Sequence, residues 1–378
     1  MDFTPSPAFS VGMELELQLL DPASFDLADA VVPLLETYTD RRYVKPEFLQ
    51  STVEVVSPPA ADLTELEAGL RPLLRDLLQH VDGLGLAVCG AGTHPFNTRP
   101  APFSPGERYR LMERSYGWLG HQQVTFATHV HLGMPSGEEA LTLMGELKPF
   151  LPLLVALSAS SPFWHGSDSG FAAFRHRVLA AARTYGIPPD FADWAAFERF
   201  YGTMTRAGAL HTLRDIHWDL RPCPHFGTLE VRVMDAQPTL AEALALAALL
   251  RALVRFLQAS RGRWMPPPAL APQPSWELRD NCFVASRDGL EARLIASPEG
   301  DLLPLGQIAA LVLAWVRPWA AADELPWLDR LEASIAAGLP YVRQRRLLRR
   351  SGSLPAVVAA LARAFRADLH AALDSDPA

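Results

Sequence analysis

Four stretches of this chain alternate apolar and polar side chains at a period of two, and in each the polar side carries acid or imidazole. In residues 9–21, FSVGMELELQLLD, Met13, Leu15, Leu17 and Leu19 share one face and Gly12, Glu14, Glu16 and Gln18 the other, because successive side chains of a strand point to opposite sides. In VKPEFLQSTVEVVSP, Glu54 lies with Thr52 and Val56, opposite Val53 and Val55. In HQQVTFATHVHLGMP, Thr125, Ala127, His129 and His131 fall together, with Phe126, Thr128, Val130 and Leu132 behind them. In residues 215–238, Thr228, Glu230, Arg232 and Met234 oppose Leu229, Val231 and Val233. One such strand would normally turn its charges to solvent. Four of them predict an apolar face packed on helices and a second face where the charges converge.

Helical periodicity fills the intervals. A helix is expected over residues 28–38. A long amphipathic one follows over 63–84, with Leu63, Leu66, Leu70, Leu73, Leu74, Leu77 and Val81 at helical spacing and Thr64 near its start. Residues 105–118 and 138–160 read as helices, and a short one carries Arg175. Residues 240–257 are apolar but interrupted by Glu242, Arg251 and Arg255, the pattern of a buried helix and not of a membrane span. A proline-rich connection over 261–274 precedes three closing helical stretches, the last over about 355–373. In LAVCGAGTHPF, His94-Pro95 stops a helix from starting on the glycines, so Gly90 and Gly92 mark a structural turn and not a phosphate loop.

With 49% hydrophobic and 20% charged residues, the 378-residue chain has the balance of a globular protein without membrane partners. We take it as one catalytic domain over 1–378, with a helical C-terminal part from about 275. The net charge of -8 argues against a generic nucleic-acid surface. Cys89, Cys223 and Cys282 are far apart and lack CxxC spacing, and the N-terminus lacks a basic start and apolar run, so a cytoplasmic location is expected.

Were the strands in one antiparallel sheet, Glu14, Glu16, Glu47, Glu54 and Glu230 would share a concave surface. Glu47 precedes Glu54 by an odd separation, so both reach one site only if the chain turns or bulges near residues 49–51. Such a cluster repels itself in low dielectric, and divalent cations offset the repulsion. Oxygen ligands favour magnesium or manganese. The pair His129-x-His131 puts two imidazoles on one side and suits metal ligation, although standing alone it also fits one exposed and one packed histidine. Hard cations beside arginines are the equipment of phosphoryl transfer, and the absence of GxxxxGK[ST] excludes a P-loop enzyme.

Taken together, GMELELQLLD, KPEFLQSTVEV, THVHLGMP, LSASSPFWHGSDSGFAAFR and DIHWDLRPCPHFGTLEVRVMDAQP, with fainter echoes in NCFVASRDGL and VRQRRLL, resemble the glutamate-cysteine ligase type 2 family, in particular its YbdK-like carboxylate-amine ligases. The resemblance spans about residues 9–350. It implies an α+β fold, in which a curved, mainly antiparallel sheet of about six strands forms a funnel packed by helices, as in the glutamine synthetase superfamily. It implies Glu14, Glu16, Glu47, Glu54, His131 and Glu230 as magnesium ligands, Arg232 on ATP phosphate with Arg221 and His129 nearby, and Arg175 as a grip for a substrate carboxylate. The implied reaction is ATP-dependent: a carboxylate is phosphorylated, an amine attacks the acyl phosphate, and an amide or γ-glutamyl bond forms, glutamate with cysteine being the first substrate pair to consider. Departures from the family pattern are Ala127 where glycine is frequent, Cys223 and His225 in the RP-x-P stretch, and Cys282, Phe283 and Val284 after Asn281.

Two other readings stand beside this one: a metal-dependent amide hydrolase built on His129 and His131, and a non-catalytic nucleotide-binding member of the fold. Arg175 reads equally as a surface salt bridge. The basic run Arg343, Arg345, Arg346, Arg349 and Arg350 reads first as a solvated helix face, with Arg343 or Arg345 as an outlying site candidate. The many apolar helices are compatible with a homodimer.

Overall fold

In the computed structural model, which describes residues 1–371, the alternating segments meet in one seven-stranded sheet. Its strands are β1 (Val11–Leu20), β2 (Val44–Pro46), β3 (Thr52–Val56), β4 (Ala87–Cys89), β5 (Thr128–Gly133), β6 (Leu220–Cys223) and β7 (Thr228–Val231). The order is β6-β7-β5-β1-β3-β2, with β4 on the far end of β1, and every pair is antiparallel. The path runs from β6 to β2 without closing into a barrel. Residues opposite each other share a face, and the register puts Glu14 against His129, Glu16 against Glu54, and Glu230 against both His131 and Arg221.

The odd spacing of Glu47 and Glu54 is resolved by a chain reversal: β2 and β3 pair with Lys45 opposite Glu54, and residues 47–51 form the turn between them. The Gly-rich stretch is structural, as expected. A Cβ on Gly90 would lie 2.0 Å from the Gln237 carbonyl oxygen, and one on Gly92 would meet the Asp235 carboxylate at 2.5 Å.

Helices cover the apolar face of the sheet. α1 is shorter than expected, Val31–Glu36, and has no side-chain cap. α2 (Leu63–Gly83) starts from Asp62, whose carboxylate accepts the Glu65 amide; Thr64 is not the cap. α3 (Glu107–Tyr116) and α4 (Trp118–Gln122) contribute lining residues to the cavity described below. The expected helix over 138–160 is two, α5 (Gly137–Leu147) and α6 (Leu151–Ser158), joined by a 3₁₀ turn, because Pro149 and Pro152 cannot donate to the helical ladder. Those residues form the one stretch, among those described, long and apolar enough to cross a membrane, and they are mostly buried inside the protein. α7 (Arg175–Leu179) and α8 (Trp194–Arg206) follow.

α9 (Leu240–Ser260) is buried almost all round and begins at Thr239, which accepts the Glu242 amide. Its Arg251 is 2% exposed and pairs with Glu324, itself 0% exposed, at 3.1 Å, and with Asp323 at 3.3 Å. Five helices, not three, close the described chain: α10 (Ser275–Asp288), α11 (Leu305–Val316), α12 (Leu325–Ala337), α13 (Pro340–Ser351) and α14 (Leu354–His370), with a hairpin of Arg293–Ile295 and Leu302–Pro304 after α10. Gly289, Gly338 and Gly352, all at positive φ, supply breaks that the apolar periodicity conceals. The end expected near Leu373 lies outside the described residues. One hydrophobic cluster runs from Met13 on β1 to Leu369 on α14 and joins sheet and helices.

Candidate active site

The polar face of the sheet forms one wall of a cavity of about 1580 Å³. Glu14, Glu16, Glu54, His129 and His131 line it from the central strands, Glu47 from the β2–β3 turn, and Arg221 and Arg232 from the far edge. Expected candidates from five separate segments thus converge on one surface. Arg175 lines it as well, from α7.

Glu14 is the hub of the central strands. Its Oε2 faces His129 Nδ1 at 3.1 Å and its Oε1 faces His131 Nε2 at 3.2 Å. Burial opposes its ionisation, but hydrogen bonds from the two histidines outweigh burial and hold its carboxyl well below the usual range. Burial, then the charge of Arg232, pushes His129 down to about 4, so it is neutral; burial is outweighed at His131 by the charges of Glu230 and Glu14, which raise it. Thr228 Oγ1, 2.9 Å from Nδ1, fixes the His131 ring so that Nε2 turns toward the acids. Glu16 accepts the Ala127 amide at 2.6 Å and is pushed up to about 8 by burial and by the charge of Glu47. Glu54 is raised well above its ordinary value by burial and by Glu14, Glu47 and Glu16. These acids repel one another across the cavity floor. A hard divalent cation would be held by Glu14, Glu16, Glu47, Glu54 and His131, whose donors fit it and whose repulsion it would relieve.

Glu230 is built differently. It is 0% exposed and lies behind the wall. Its Oε2 accepts Arg221 Nε at 2.8 Å and Nη2 at 2.7 Å, and its Oε1 pairs with Arg232 and stands 3.5 Å from His129. Arg221 also donates to the carbonyls of Ile216 and Arg214. Burial opposes the charge of Glu230, and the two guanidinium groups overcome it and hold the carboxyl far below the usual range. Both oxygens are committed to arginine.

Arg175 is 4% exposed, which removes the surface salt bridge reading. Its guanidinium donates to the carbonyls of Val233 at 3.2 Å and Arg232 at 3.3 Å, and it lies 3.9 Å from Asp235. Asp235 accepts from the Ser160 amide and the Ser161 hydroxyl, so the loop before α7 is latched to the end of the β7 strand. The Arg232 amide donates to the Asp219 carbonyl, so the backbone of Arg232 is held on both its N–H and its C=O. Of the basic run on α13, Arg343 pairs with Glu242 and Arg345 with Asp168, and neither lines the cavity. Asn281 is fully buried, bonded through its amide to both backbone groups of Ile295.

The sequence reading missed Lys45, Arg108, Tyr109 and His217, all on the cavity wall. Lys45 stood beside Glu47 in the KPEF motif and His217 in the DIHWDL motif, so those two carried a signal. Arg108 sits on an amphipathic helix, where a basic residue is ordinary.

A family model described as glutamate-cysteine ligase family 2 matches residues 10–363. The chain belongs to this family, and with it to the carboxylate-amine ligases. It is 44% identical over 373 residues to a protein of Trichormus variabilis provisionally named glutamate–cysteine ligase 2, covering 98% of this chain and 96% of that one. A relative in Thermobifida fusca with the same provisional name is 36% identical over 380 residues, with 97% and 93% covered. The fold of this ligase is similar to a Francisella tularensis glutamate–cysteine ligase crystallised with AMP, at a TM-score of 0.71 and 11% identity over 99% of this chain and 91% of that one. It is also similar to a bifunctional glutathione synthetase from Pasteurella multocida, at 0.68 and 16% identity, over 95% of this chain and 52% of that one, so the chain spans about half that protein's length.

Proposed function

We propose that this ligase joins an amino-acid carboxylate to an amine at the cost of ATP, through an acyl phosphate, with glutamate as the first carboxylate and cysteine as the first amine to test. The observation that carries the reading is the division of one cavity wall into two halves: carboxylates from β1, β3 and the β2–β3 turn on one side, and two guanidinium groups held by a buried glutamate on the other. The names of the relatives and the AMP in the Francisella ligase point the same way.

A carboxylate oxygen of the substrate attacks the γ-phosphorus of ATP, and the bridging oxygen leaves with ADP. The amine nitrogen then attacks the acyl carbon, phosphate departs, and the nitrogen loses a proton. Glu14, Glu16, Glu47, Glu54 and His131 would hold Mg²⁺ or Mn²⁺, which would neutralise charge on the triphosphate when bound. Arg232 and Arg221 face the charge that develops on the transferring phosphoryl group. Glu230, assigned to the metal set by resemblance, serves here as the anchor of these arginines. Arg175, assigned by resemblance to a substrate carboxylate, holds the Arg232 backbone through Nη1 and Nη2, which donate to the carbonyls of Val233 and Arg232, while its Nε has no partner among the described residues. Both histidines are tied to Glu14 and its neighbours, which leaves nothing to favour a hydrolase. The three free cysteines fit a reducing compartment such as the cytoplasm.

The test is mass spectrometry of products, with phosphate release, on the purified chain with ATP, magnesium, amino acids and an amine panel. Release that requires both a carboxylate and an amine, with a condensed product, is expected. Hydrolysis of an amide without ATP, or ATP bound without turnover on any pair, would refute it.

A further inference from the structure

Cys223 stands in the cavity wall at the outer edge of the sheet, on β6, directly across from Thr228 of β7. Its Sγ lies 3.1 Å from Glu230 Oε2. Glu230 is in turn opposite His131 on β5. Two cross-strand steps therefore bring a sulfur, a carboxylate oxygen and an imidazole nitrogen to one face, and the three ligand atoms lie within 4.8 Å of one another. Donors of a tetrahedral zinc ion, at about 2.0–2.3 Å from the metal, stand roughly 3.5 Å apart. Small side-chain movements would close the triad to that size.

We propose that Cys223, His131 and Glu230 form a binding site for a soft divalent cation, Zn²⁺ or Cd²⁺, that inhibits the enzyme by taking residues from its working arrangement. The chemistry differs from that of the carboxylate floor. Oxygen donors suit magnesium and manganese, whereas a thiolate beside an imidazole selects soft or borderline ions. Thr228 holds Nδ1 of His131, which leaves Nε2 as the ligand atom and supplies the outer partner that orients a ligating histidine. Glu14 Oε1, 3.2 Å from that nitrogen, is the nearest donor for a fourth position. Cys223 is half-buried and lines the cavity, so an ion reaches it from solvent, while Cys89 and Cys282 are 0% and 2% exposed and belong to no such cluster among the described residues.

On binding, the S–H bond breaks as a sulfur–metal bond forms, His131 gives up the Nε2 proton it shares with Glu14 as the nitrogen–metal bond forms, and both protons leave to solvent; nothing is oxidised or reduced. The ion draws Glu230 Oε2 away from Arg221 and occupies His131. Inhibition follows, opposed by magnesium only through the His131 and Glu14 that both ions use, and this effect on rate, unlike the binding, rests on the ligase reading.

Cadmium chloride titrated into the metal-free protein tests the site directly. A near-ultraviolet sulfur-to-cadmium absorption band saturating at one ion per chain is expected, its midpoint moved to higher cadmium but its amplitude unchanged when magnesium competes for His131 and Glu14. In Cys223→Ser the band should vanish and the affinity fall by more than the roughly 100-fold that loss of an outer partner alone can cost. A band that persists in Cys223→Ser, or one removed by Cys282→Ser or Cys89→Ser instead, overturns the assignment. So does the absence of any band. Zinc-edge X-ray absorption of the loaded wild type keeps the proposal open to refutation even where Cys223→Ser does not fold: one sulfur at about 2.3 Å is expected, and an all-oxygen shell rejects it. Each spectroscopic result stands whether or not the chain turns over ATP, so failure of this site and failure of the ligase reading are separable.

Discussion

Replacing Glu230 with glutamine separates an arginine anchor from a metal ligand. The wild-type carboxylate is 0% exposed and pairs with Arg221 through Oε2 and Arg232 through Oε1. A glutamine amide retains one acceptor and points two N–H groups at a guanidinium that can only donate. Removing one partner from a buried ion pair costs about 3–5 kcal/mol, because the remaining charge stays buried without compensation. Two guanidinium groups are left in that state here, so the upper part of the range is expected in denaturant unfolding. The chemical consequence follows from geometry, since Arg232 and Arg221 lose the group that aims them, and misplacement by about 1 Å costs on the order of 100-fold. The assay is steady-state ATP turnover with the best carboxylate and amine, as a function of magnesium, on variants whose circular dichroism matches wild type. Glu230→Gln should lower kcat about 100–1,000-fold and leave the half-saturating magnesium concentration within about twofold. Glu54→Gln should raise that concentration instead. Unaltered turnover in Glu230→Gln, or a loss that added magnesium restores, would refute the anchor.

Arg175→Lys keeps a charge but loses the planar fork that reaches two carbonyls from separate nitrogens, so kcat should fall about 10–100-fold with KM for the carboxylate substrate nearly constant; a rise in KM at constant kcat would return Arg175 to substrate binding. His94 donates through Nε2 to the Phe25 carbonyl and accepts the Asn97 amide at Nδ1, and burial lowers it from 6.5 to about 4. Its folded value lies below its unfolded value, so the unfolded chain binds the extra proton between those limits, and roughly 3 kcal/mol of stability present above pH 6.5 is lost as pH falls toward 4. Urea unfolding at pH 7 and pH 5 should show this loss and show less of it in His94→Gln; equal slopes would exclude His94 as the cause. Glu324→Ala leaves Asp323 as the acidic partner of Arg251 and takes from Arg255 the carboxylate it pairs with, and should cost about 3 kcal/mol in unfolding free energy without altering magnesium dependence, whereas an unchanged melting temperature would discount the pair.

Legibility differed sharply between the strands and everything else. The acid-bearing face of β1 was readable because period-two alternation is a local property of the backbone, and Glu14 and Glu16 share a side whatever the rest of the chain does. The His129-x-His131 pair was readable for the same reason. The helices were less so: α5 and α6 read as one run because apolar periodicity passes through Pro149 and Pro152, and the last helices merged because single glycines mark their ends.

The sequence by itself determined which residues share a strand face, where the chain must turn between Glu47 and Glu54, and, through its motifs, the family. Only the tertiary structure decided what those residues face. Register across β6, β7 and β5 commits Glu230 to Arg221 and sets His131 beside it, and the latch from α7 turns Arg175 inward. Periodicity is written along the chain, whereas the partner of a buried charge is chosen by strand order and loop packing. An acid on a polar face is therefore visible early, and whether it holds a cation or an arginine depends on contacts made by residues far away in sequence.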